Sequence, residues 1–216
     1  PGDGGTTFKG AAYVEYGRST SQNPLPPNTN TLGTHTTDNP GFTISGYEYD
    51  TGFAVSGAGD VNGDGWLDLL VSAHFATANG NTKAGKTYVV FGKKVMTNIT
   101  LSSTFGGIAQ GFVINGAQAS EESGTSVSSA GDFNGDGYGD VVMGAPLNTF
   151  TDTALRTQGG GVVLYEGGLN TSLVPKGYSG TGQVNGHYYT YSVNKGWLGF
   201  SVAGVGDMNN DGLADL

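Results

Sequence analysis

Apolar residues in this chain come in short runs separated by polar, glycine-rich stretches, and no segment shows helical spacing. The clearest runs are Phe42-Thr-Ile44, Leu69-Leu-Val-Ser-Ala73, Tyr88-Val-Val-Phe91, Phe112-Val-Ile114, Val141-Val-Met-Gly-Ala145 and Val162-Val-Leu-Tyr165. They are rich in β-branched and aromatic residues and bounded by Gly, as strands ending in tight turns are. No run approaches the ~18 apolar residues of a membrane helix. The pattern predicts an all-β chain with no membrane insertion.

The runs recur with a period. Three polar segments share one pattern: Gly-Asp60-Val-Asn62-Gly-Asp64-Gly65-Trp66-Leu-Asp68, Gly-Asp132-Phe-Asn134-Gly-Asp136-Gly137-Tyr138-Gly-Asp140, and Gly-Asp207-Met-Asn209-Asn-Asp211-Gly212-Leu213-Ala-Asp215. Each is preceded by a Gly-bounded β run (Gly52–Gly59, Gly124–Gly131, Gly199–Gly206). Up to three further runs follow, the last of them less distinct at Tyr188–Val193. A fixed period with one motif per unit marks a repeat architecture. Four short strands per unit with no helix between describe the blades of a β-propeller. The repeats fall at approximately 1–68, 69–140 and 141–216. Pro1 stands in the phase of Pro146, and the last residues reach only the phase of Val141. Propellers take about four to eight blades, so further blades or neighbouring chains are expected to complete this one.

Composition narrows the chemistry. Forty of the 216 residues are Gly and 23 are aromatic, which suits short strands and tight turns. The absence of Cys excludes disulfides and thiolate metal sites. A formal net charge of −9 repels phosphate backbones, so nucleic acid is not an expected partner. The chain opens at Pro1 with neither Met nor a leader peptide, as expected of a processed or excised segment.

Half of the eighteen acidic residues lie in the three motifs. Each motif places oxygen-bearing side chains at positions 1, 3, 5 and 9: Asp60, Asn62, Asp64 and Asp68; Asp132, Asn134, Asp136 and Asp140; Asp207, Asn209, Asp211 and Asp215. Hard Ca²⁺ takes six to eight oxygens, and a Gly at position 6 permits the sharp turn that gathers them. The carbonyls of Trp66, Tyr138 and Leu213 would add a ligand at position 7. An EF-hand is excluded, because position 12 is Val71 or Met143 instead of Glu and the flanks are β runs. The plainer reading is three solvated Asp/Asn turns without metal. Three copies in register favour about three Ca²⁺ sites of a structural kind. Such ions would offset six of the nine net negative charges.

The motif, the preceding Gly52-Phe-Ala-Val-Ser-Gly57 and the following Gly144-Ala-Pro146 resemble the FG-GAP repeat of integrin α-subunits and related surface proteins. Ser72-Ala-His74 departs from Gly-Ala-Pro, and Asn210 stands where the other loops have Gly. The resemblance implies an extracellular, secreted or cell-surface module in adhesion or surface assembly. It also implies a protein or glycan ligand on the face opposite the calcium loops, where Tyr47, Tyr49, Phe75, Phe150 and Trp197 lie. Two further readings stay open: a non-catalytic propeller part of a secreted phospholipase or polysaccharide-degrading enzyme, and a lectin. Asn98-Ile-Thr100 and Asn170-Thr-Ser172 are sequons that a secretory route could glycosylate. No catalytic constellation is found. His35, His74 and His187 are scattered surface or loop residues, and Glu121-Glu122 reads as a solvated acidic pair.

Overall fold

The computed structural model describes residues 9–17, 40–102, 105–106, 110–149, 159–168, 186–190 and 196–216. Among these, the elements are strands: β1 (Ala11–Glu15), β2 (Gly41–Ser45), β3 (Val55–Gly59), β4 (Asp68–Ala73), β5 (Lys86–Val90), β6 (Ile99–Thr100), β7 (Gly111–Asn115), β8 (Ser126–Gly131), β9 (Asp140–Ala145), β10 (Gly161–Tyr165) and β11 (Gly186–Thr190). No helix occurs among the described residues.

Two sheets are four-stranded antiparallel meanders, β3-β4-β5-β7 and β8-β9-β10-β11. They carry the four-run unit of the sequence and fit two blades of a partial β-propeller. The third sheet has the order β1-β2-β6. β1 and β2 are its antiparallel third and fourth runs, whereas the two-residue β6 pairs in parallel with β2. Nothing in the run pattern announced β6. The expected first run of the last repeat, 200–205, forms no ladder. Among the described residues, the bridge between Gly206 and Asp215 is what is made there.

The inner strands are apolar without alternation because both of their faces are covered. Leu70 of β4 and Val89 of β5 join Val127, Val141, Met143, Val163 and Tyr165 in the core between the two blades. Their neighbours Val71, Ala73, Tyr88 and Val90 point the other way, onto Ala12, Phe42 and Ile44 of the first sheet. Each fully buried Leu or Val contributes about 1.5–3 kcal/mol of transfer free energy.

On the side away from the Asp/Asn loops, blades meet backbone to backbone. Gly10, Gly85 and Gly160 each precede a third strand with φ between 65° and 89°. A Cβ on them would lie 2.0, 2.0 and 2.3 Å from the carbonyl oxygens of Thr51, Ser123 and Leu198 respectively.

Leu70→Ala is expected to cost about 2–5 kcal/mol. Val55→Ala, at an exposed position of β3, should cost under about 1 kcal/mol. Urea denaturation of the two variants checks the difference.

Candidate metal centre

The loop between β3 and β4 is closed by its own polar groups. Asp60 accepts the Asp64 N–H on Oδ1 (3.0 Å) and the Gly65 N–H on Oδ2 (2.8 Å). Asn62 Oδ1 accepts the same Asp64 N–H (3.0 Å), and Asn62 Nδ2 donates to Asp64 Oδ2 (2.9 Å). Asp64 Oδ1 accepts the Trp66 N–H (2.9 Å). The turn needs left-handed backbone at positions 4 and 6, supplied by Gly63 (φ 72°) and Gly65 (φ 88°). The β8–β9 loop repeats every one of these bonds through Asp132, Asn134, Asp136, Gly137 and Tyr138. The last loop does so through Asp207, Asn209, Asp211, Gly212 and Leu213. There position 4 is Asn210 at φ 61°, the non-glycine type best able to hold that conformation.

Position 9 is placed differently. Asp68 is buried, and its oxygens accept the N–H of Val61 (2.9 Å) and of Gly92 (2.8 Å). Asp140 does the same for Phe133 and Gly167, both at 2.8 Å. Asp215 accepts the Met208 N–H at 2.7 Å. Burial raises the Asp68 pKa to about 6, against the pull of its two amide donors, and raises that of Asp140 for the same reason. The structure therefore brings positions 1, 3 and 5 together in each loop and turns position 9 toward backbone amides. Among the described residues no three acidic or imidazole side chains converge as a metal cluster. The donor set is nevertheless all oxygen, and each bonded carboxylate oxygen keeps a second lone pair. That chemistry suits a hard cation and no soft one. Trp66 and Leu213 are exposed and Tyr138 is half-buried.

Residues 51–90 and 123–165 match the FG-GAP repeat. Both matches start at the link before a first strand and run through the third strand, so each contains one whole Asp/Asn loop. The chain is also 29% identical over 169 residues to integrin alpha pat-2 of Caenorhabditis elegans, covering 73% of this chain and 12% of that protein. Its Caenorhabditis briggsae counterpart gives the same figures. Human integrin alpha-11 is 28% identical over 164 residues, covering 73% of this chain and 11% of its own length. The chain thus spans about one-eighth or less of these relatives.

On the face opposite the Asp/Asn loops, Tyr47, Tyr49 and Trp197 are exposed and Phe75 is half-buried. Phe150 and the Asn170 sequon lie outside the described residues, as do His35 and the side chain of His187. His74 is a loop residue, as expected, but a buried one. Its ring lies between Phe53 and Phe75, with centroids 3.7 and 3.9 Å away. His74 Nδ1 stands 2.7 Å from Asp50 Oδ2, within ion-pair range though outside hydrogen-bond alignment. Burial lowers its pKa, opposed by Asp50.

Glu121 is a second correction. It is buried instead of solvated. Left-handed backbone at Ser120 and Glu122 (φ 62° and 57°) brackets it and turns it inward. It accepts the Ala117 N–H at 2.6 Å and Asn148 Nδ2 at 2.5 Å. Acid pairs in Gly/Ser loops give no sequence signal for such burial; only the distant Asn148 could have suggested it.

Burial raises the Glu121 pKa from 4.5 to about 7, outweighing its hydrogen bonds. The folded state therefore holds this proton more tightly than the unfolded chain. The stability linked to it is complete below pH 4.5 and is lost as pH rises toward 7. Glu121→Gln should remove that loss, at about 1.4 kcal/mol per pH unit. Urea titrations of both forms at pH 5 and pH 8 check it: the variant should gain on the wild type as pH rises.

In cation-free buffer, Asp140→Ala is expected to cost about 2–5 kcal/mol, since it strips partners from two amides. Asp136→Ala, at an exposed position, should cost under about 1 kcal/mol there, as denaturation in EDTA would show.

Proposed function

We propose that this chain is an adhesion-type, extracellular propeller module whose three Asp/Asn loops hold Ca²⁺ as structural cross-links. The observation that carries this reading is the recurrence of one oxygen-only loop, bond for bond, in all three repeats. The holding groups would be Asp60, Asn62, Asp64, the Trp66 carbonyl and Asp68; Asp132, Asn134, Asp136, the Tyr138 carbonyl and Asp140; and Asp207, Asn209, Asp211, the Leu213 carbonyl and Asp215. In each loop the position-3 amide now donates to the position-5 carboxylate. A half-turn of that amide would set two acceptors side by side, which only a cation between them tolerates. The cost is small, because the Asp64 N–H keeps Asp60 Oδ1 as its acceptor. When bound, the ion supplies positive charge and joins the loop's oxygens; no bond is made or broken.

The partner reading follows from the likeness to integrin α-subunits. A protein or glycan would meet the face opposite the loops, at the exposed Tyr47, Tyr49, Phe53 and Trp197. No enzymatic role is assigned. Asn98 is exposed, and its Oδ1 accepts the Thr43 N–H at 2.9 Å. That bond leaves Asn98 Nδ2 as the atom a glycan would take.

Native mass spectrometry in calcium, then in EDTA, tests the cation reading. Three ions are expected per chain, and Asp64→Ala or Asp136→Ala should each bind two. Extracellular modules hold Ca²⁺ at roughly 10⁻⁴–10⁻³ M, so millimolar calcium adds on the order of 1 kcal/mol per site. Chelation should then lower Tm by roughly 5–10 °C. A melt that EDTA leaves unchanged would sink this reading.

A further inference from the structure

Consecutive Asp/Asn loops touch one another, and the contact repeats. Position 8 of the second loop, Gly139, donates its N–H to the carbonyl oxygen of Asp60, position 1 of the first loop, at 2.8 Å. Position 8 of the third loop, Ala214, donates to the carbonyl of Asp132 at 3.1 Å. The side chain at position 7 covers position 4 of the loop before it. A Cβ on Gly63 would sit 2.3 Å from Tyr138 Cε1, and one on Gly135 would sit 2.8 Å from Leu213 Cδ2. A second thread runs beside the first. Gly167 N–H is held by Asp140, while its neighbour Gly168 donates to the Val61 carbonyl at 2.9 Å. The last Asp of the second loop thus reaches the first loop through one dipeptide.

These contacts fall on the residues that carry the donor groups. Asp60 bears the first carboxylate, and its own carbonyl is fixed by the second loop. Gly63 sets the turn between Asn62 and Asp64, and its open side is filled by the Tyr138 ring. Tyr138 also owns the carbonyl assigned to position 7 of the second loop, so one residue belongs to both loops. Position 8 must stay small for the same reason. A Cβ on Gly139 would come within 2.9 Å of Asp60 N and 3.1 Å of the Ala58 oxygen.

We propose that the three loops are coupled in series, so that ordering one loop by a cation raises the cation affinity of the loop before it. The link is the Gly139–Asp60 hydrogen bond together with the Tyr138 ring on Gly63, repeated as Ala214–Asp132 and Leu213 on Gly135. This rests on the calcium reading above. Coupling of binding free energies is reciprocal, so emptying the first loop weakens the second by the same factor, about 5- to 10-fold for a link of ordinary strength.

Calorimetric calcium titration of the whole chain, with Tyr138→Ala and Leu67→Ala beside it, tests the link. Tyr138→Ala keeps every assigned ligand, because position 7 contributes a backbone carbonyl. It should still bind three ions, but with a shallower, non-cooperative isotherm and one site weakened about 5-fold. Leu67→Ala removes an exposed apolar side chain from the first loop that belongs to none of the assigned holding groups, and should leave the isotherm unchanged. Three ions bound with superimposable isotherms for wild type and Tyr138→Ala would overturn the coupling and leave the calcium reading standing. Absence of calcium binding in the wild type would overturn the calcium reading. Amide exchange in EDTA then decides the link alone: Tyr138→Ala should speed exchange at Asp64 and Gly65 about 10-fold, and unchanged rates there would overturn it.

Discussion

A buried carboxylate at the head of the second strand, β4 or β9, is the constraint on which the rest of each four-stranded sheet depends. Asp68 and Asp140 each hold two backbone amides, one at the start of their own loop and one at the turn that leaves the third strand. Burying a carboxylate is costly, and only charge-assisted hydrogen bonds, worth about 1.5–3 kcal/mol each, offset it. The residue therefore fixes where the loop begins, where the third strand ends, and how far apart the two lie. The carboxylates at position 5, exposed in all three loops, and at position 1, half-buried in the first two, are then free of that task.

That division separates scaffold from chemistry within one nine-residue motif. Positions 1, 3 and 5 gather oxygens at the surface, whereas position 9 is anchored in the blade. The strands it opens are covered on both faces, Leu70 on one side and Val71 on the other. Cohesion between blades therefore begins one residue beyond the loop. Any order that an ion adds at the rim passes into packed strands without an intervening flexible segment.

Much of this was legible in the sequence. The period of the Gly-Asp motifs placed the blades, and the apolar runs placed β4, β5, β7, β9 and β10 to within about two residues. Donor spacing identified the loops because local hydrogen bonds within nine residues decide their form. What escaped depended on distant partners. Position 9 is an oxygen donor in the motif, but its hold on the amides of Gly92 and Gly167 is not legible there, because they lie more than twenty residues away. Glu121 read as solvated because its partner Asn148 is in another loop, and β6 was hidden because two residues carry no periodicity. His74, expected as a surface or loop residue, is buried because Phe53 and Phe75 close on it, which no local spacing shows.

At Gly10, Gly85 and Gly160 neighbouring blades meet main chain to main chain, with no side chain at those points of contact. Contact made in this way is indifferent to what the adjoining loops display. Those loops can diverge in length and composition from one unit to the next without disturbing that contact. Selection can therefore rewrite the outward-facing surface one loop at a time, and the cost of each change is confined to the segment that carries it.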